Sequence, residues 1–134
     1  MPQSIAPLDI LTSGNKHPER EQSDECTTEV RVNAADLAER VSKLLDHLGR
    51  TASISSGFRT TSANKAAGGS KKSAHRTGQA VDLEDPGNTL DDTISRDPSL
   101  LDTYDLYRED PTSTPGWVHL TTRPPPSGHR TFLP

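Results

Sequence analysis

The 134-residue chain is long enough for one domain with a modest core and too short for two. Only 29% of its residues are hydrophobic, its mean hydropathy is -0.76, and eleven prolines and nine glycines point to long loops around that core. A net charge of -4 with no run of lysine or arginine excludes an electrostatic footprint for nucleic acid; no apolar stretch is long enough to span a bilayer, and the single cysteine, Cys26, excludes an intrachain disulfide framework.

In chain order, residues 1–29 read as a loop-rich lead packed on a domain of residues 30–134. The start Met1-Pro2-Gln3-Ser4 has no basic region followed by a long apolar one, so no secretion signal is expected. Ile5, Leu8, Ile10 and Leu11 can dock one short turn, and His17 reads as a surface residue in a solvated loop. Thr28 to Val32 reads as a short extended piece leading into a helix. For that helix Asn33 is the expected N-cap, Asp36 sits in the first turn, and Gly49 is the stop. Leu37, Val41, Leu44, Leu45 and Leu48 recur at helical spacing and form the main core stripe, with His47 as a helix-end cation.

Alternation of Ala52 and Ile54 with small serines predicts a strand ending at Ser56-Gly57. Residues 60–74 are small and polar and read as a loop around a site; Thr77 to Leu83 reads as a second strand, with Ala80 and Asp82 on one face and Val81 and Leu83 on the other. Gly78 is expected where the backbone passes close to a metal or a neighbouring strand. Glu84 to Arg96 reads as acidic turns, and Asp97-Pro98 as the start of a second, shorter helix carrying Leu100, Leu101, Tyr104 and Tyr107. A loop over 109–116 leads to a strand at Trp117; Arg130 to Leu133 is a final edge strand, and His129 faces solvent. The fold class is therefore α+β, a small mainly antiparallel sheet with one long and one shorter helix.

Chemistry concentrates in Ser73-Ala74-His75-Arg76-Thr77-Gly78-Gln79-Ala80-Val81-Asp82 and in Trp117-Val118-His119-Leu120. Strand alternation points Trp117 and His119 to the same face. Two histidines and one aspartate make a three-ligand metal set, and three protein ligands with one open position are what a catalytic zinc uses. A closed structural site built on thiolates is poorly supplied by one cysteine.

S-x-H-x-x-G-x-A-x-D followed by W-x-H resembles the zinc D-alanyl-D-alanine carboxypeptidases and endolysins of the M15 peptidase type, whose fold is shared with the hedgehog signalling domain. Ser56-Gly57-Phe58-Arg59-Thr60 resembles the family's S-G-[FY]-R segment, and Asn64, Gly68-Gly69 and Ser73 fall where its phage members carry them. The resemblance implies zinc held by His75, Asp82 and His119, with Arg59, Ser73 and Trp117 facing a peptidoglycan stem peptide. It further implies a protein made in the cytoplasm and then carried in a phage particle or released on lysis, with other virion proteins as neighbours in the first case. Active members carry an acidic residue three positions before the last zinc histidine, and here that position is Gly116. Glu109 and Asp110, on the loop upstream, are the nearest candidates for a relocated general base. Two readings stand: a zinc peptidase with a relocated base, and a catalytically silent copy of the fold serving as a structural or wall-binding component.

Overall fold

A computed structural model describes residues 4–134. Helix α2, Thr28–His47, is the spine of the molecule. It starts earlier than the expected extended piece allows, because Thr27 is the N-cap: its hydroxyl accepts the Val30 amide, satisfying one of the free N–H groups of the first turn. Val30 is buried on the same stripe as Leu37, Val41, Leu44 and Leu45, so packing overrides the weak helix propensity of a β-branched residue. Asn33 therefore caps nothing; its side-chain amide donates to the Thr77 carbonyl, and Asp36 pairs with Arg40 one turn on. The helix stops as expected, with Gly49 left-handed at φ 63°.

Five strands form one sheet: β1 (Ile54–Ser56), β2 (Ala80–Glu84), β3 (Tyr107–Glu109), β4 (Trp117–Thr121) and β5 (Thr131–Phe132), in the order β1-β2-β4-β3-β5. All neighbours are antiparallel except β3 and β5, which are parallel. Val81, Leu83, Val118 and Leu120 alternate onto one face and join the α2 stripe, Phe58, Leu101 and Leu106 in a single core. Each large side chain so buried contributes roughly 1.5–3 kcal/mol.

Three further helices stand where turns or loops were expected. Helix α1 (Pro7–Leu11) buries Ile10 and Leu11; α3 (Thr61–Ala66) is capped by Thr60, whose hydroxyl accepts the Ala63 amide; and α4 is Thr89–Arg96. The acidic segment before α4 looks like turns because the helix is capped from a distance: the Asp85 carboxylate accepts the Leu90 and Asp91 amides. Leu90 and Ile94 then reach the core. The second expected helix shrinks to α5 (Ser99–Thr103), with Pro98 rather than Asp97 at the N-cap position, and Tyr107 belongs to β3. No helix among the described residues is long and apolar enough to cross a membrane.

Candidate metal centre

The register between β2 and β4 sets Asp82 directly opposite His119, on the face away from the core. The His119 Nδ1–H donates to Asp82 Oδ1 at 2.9 Å. His75 comes from a 3₁₀ turn over Ala74–Thr77, where the Ser73 hydroxyl accepts the His75 amide; its Nε2 lies 3.3 Å from Asp82 Oδ2. One ligand atom from each of the three residues lies within 4.8 Å of the others.

The donor set fits zinc. His75 Nδ1–H donates to the Gly57 carbonyl at 2.8 Å, which fixes the tautomer and leaves Nε2 free to ligate. Tetrahedral zinc with ligand distances of about 2.0–2.2 Å holds its donors about 3.3 Å apart, the separation that His75 Nε2 keeps from Asp82 Oδ2. Burial alone would raise the Asp82 pKa, but the two imidazoles beside it, His119 and His75, outweigh burial and hold the carboxyl well below the usual range. Asp82 is therefore ionised, as a ligand must be.

Arg59 is fixed by the N-terminal segment. The Gly57 and Phe58 amides donate to Ser13 Oγ and the Ile10 carbonyl, the Arg59 amide to the His75 carbonyl, and the Arg20 guanidinium to the Phe58 carbonyl. Gly57 has to be glycine, since a Cβ there would sit 2.2 Å from the Ile10 oxygen. The Arg59 side chain is mostly buried, with Nε on Ser56 Oγ and Nη2 3.6 Å from Asp82 Oδ2. At Gly78 the close approach is to a helix rather than to a neighbouring strand: with φ at 73°, a Cβ would lie 2.7 Å from the Val30 carbonyl of α2.

The two candidate bases separate. Asp110 turns away: it does not line the cavity and is the half-buried cap of a short 3₁₀ turn, accepting the Thr112 amide and hydroxyl, and these bonds lower its pKa. Glu109 is on β3, not on a flexible loop. Continuing the β3–β4 register by one residue from Arg108 opposite Leu120 puts Glu109 across from His119. Ser56, Asp82, His119, Glu109 and Phe132 thus form one row across the sheet, closed at its far end by the pairing of Glu109 with Phe132 and an edge contact between the His119 and Phe132 rings. Burial raises the Glu109 pKa; His119 pulls it down, Asp82 pushes it up, and His75 pulls it down.

The row opens into a cavity of about 580 Å³ lined by His75, Asp82, His119, Glu109, Arg59, Ser73 and Trp117. Gly116 contributes no side chain to it; it turns with φ at 82°, its amide on Asn88 Oδ1. Arg123, Pro124–Pro126 and Phe132 line the cavity too, and the sequence reading missed them.

The family model described as Peptidase M15 matches residues 13–97. No curated protein and no solved structure matches the chain.

Proposed function

The chain belongs to the peptidase M15 family and carries a metallopeptidase-like function, and from that premise we propose that it is a zinc peptidase cutting peptide bonds in peptidoglycan stem peptides. The observation that carries the reading is the cross-sheet row, in which a glutamate neighbours a largely buried His-Asp-His set inside one cavity. His75, Asp82 and His119 would hold zinc, which when bound supplies Lewis acidity toward a carbonyl and a water. Glu109 accepts a proton from the attacking water as the water oxygen bonds to the scissile carbonyl carbon. It returns that proton to the amide nitrogen as the C–N bond breaks, and ends ionised as it began. Its raised pKa suits both halves of the transfer. Arg59 steadies the Asp82 carboxylate, and Ser73 and Trp117 line the substrate path. Whether the chain acts as a D-alanyl-D-alanine carboxypeptidase or as an endolysin depends on which stem-peptide bond enters the cavity.

A second reading is favoured by Gly116, which leaves the family's acidic position without a side chain. In it the chain is a silent copy of the fold with a structural or wall-binding role in a phage virion. Incubating the zinc-loaded protein with purified peptidoglycan and analysing the released fragments by mass separates the two. New amine and carboxyl ends within the stems support the peptidase; binding to the wall material with no release supports the silent copy.

A further inference from the structure

The cavity holds two guanidinium groups, and they differ in how far they are committed. Arg59 spends Nε on Ser56 and sits against the Asp82 carboxylate. Arg123 follows β4, with its amide on Thr121 Oγ1, and its side chain crosses to the facing loop, where Nη2 donates to the Lys72 carbonyl. Among the described residues no carboxylate lies within 4.0 Å of it, although burial depresses its pKa with no counter-charge to offset the effect. An arginine has five N–H donors in a planar fork, and a bond to one backbone carbonyl leaves most of them free. A partly desolvated cation without an anion is costly in a folded protein, and a neutral donor would tie the loop to β4 equally well.

We propose that Arg123, rather than Arg59, is the residue that holds a carboxylate of the bound peptide, so that it sets specificity for an anionic substrate. This rests on reading the cavity as a peptide site. Once Asp82 serves the metal, Arg59 remains its neighbour, whereas Arg123 at the opposite end of the Trp117–Thr121 strand faces the cavity with its fork open. A bidentate pair with a carboxylate is the interaction for which that fork is shaped.

Trp117 is the only tryptophan and lines the cavity, so its fluorescence reports binding directly. The zinc-loaded protein is titrated with N-acetyl-D-alanine, with N-acetyl-D-isoglutamine, which carries a side-chain carboxylate only, and with N-acetyl-D-alaninamide, which carries none. Wild type should bind at least one acid better than the amide. R123Q should weaken that acid by ~10- to 100-fold and leave the amide unchanged, R123K should recover part of the loss, and R59Q should change acid and amide alike. Whichever acid couples to Arg123 identifies a terminal or a side-chain carboxylate as the group held. Equal binding of acid and amide by wild type, or an equal loss of both in R123Q, overturns the assignment. Acid selectivity that depends on Arg123 in a protein releasing nothing from peptidoglycan would instead leave the anchor standing and remove the peptidase reading.

Discussion

Two buried aspartates serve opposite faces of the sheet, and their surroundings drive them in opposite directions. Asp82, on the cavity face, is held far down by two imidazoles despite its burial. Asp91, on α4 beneath the core face, is pushed up to about 6: burial raises it, Arg108 pulls it down, and the nearby Asp85 raises it further. Arg108 alternates with Glu109 on β3 and so points away from the cavity. Its guanidinium takes Asp91 Oδ1, the Asp91 carbonyl, Ser95 Oγ and Thr131 Oγ1, pinning β3 and β5 to α4. That cluster is sealed: both Nη atoms of Arg108 are spent on the protein itself, while its Nε and Asp91 Oδ2 are buried without a partner. The Asp82 cluster has more donors than its single carboxylate needs and opens to 580 Å³ of space. Buried charge alone therefore does not mark a functional site; access does, together with a ligand set still able to take another cation.

Glu109→Gln should break the functional side of this contrast most sharply. Turnover on stem peptides should fall by ~10²–10⁴ with zinc still bound, while Asp110→Asn stays within about threefold, since only the former faces the site. Equal losses in steady-state assays of the two variants would return the proton transfer to the loop.

Arg108→Met should break the structural side. It leaves Asp91 buried without its cation, and removal of one partner from such a pair costs about 3–5 kcal/mol in urea unfolding. The folded fraction should still bind one zinc per chain by metal analysis, because β2 and β4 pair without Arg108. Loss of zinc from folded protein would mean that the two clusters are one system.

Chelation should act on the cavity side alone. Removing zinc from a sample with free metal at about 100 times its Kd should cost about 2.7 kcal/mol and lower Tm by several degrees. His119→Ala should melt at one temperature with or without chelator, and a chelator-dependent shift persisting in that variant would place the metal elsewhere.

The smallest expected effect is a pH dependence on the sealed side. The folded pKa of Asp91 lies above its unfolded value, so the native state binds the proton more tightly. Its contribution to stability is complete below about pH 4 and is lost as the pH rises through about 6. Relative to Asp91→Asn, wild type should lose on the order of 2 kcal/mol between pH 4 and 7 in denaturant titrations. A flat difference would show that Arg108 keeps Asp91 ionised throughout.

Local pattern alone determined the leucine stripe of α2, the glycine stop at Gly49, the parity of β2 and β4, and the order of His75, Asp82 and His119 along the chain. Each of these follows from a period or a cap readable within a few residues. The tertiary structure decided what depends on partners distant in sequence. Helix α4 escapes a local reading because its cap is the side chain of Asp85 and its reason to form is burial of Leu90 and Ile94. Glu109 and Asp110 look equivalent as neighbours, and only the pairing of β3 with β4 and β5 turns one toward His119 and leaves the other outside the cavity. Arg59 is set by amides that bond to Ile10 and Ser13, more than forty residues upstream. A sequence fixes which faces a strand can offer, whereas register, and so which side chains meet across the sheet, is settled by the whole core packing at once.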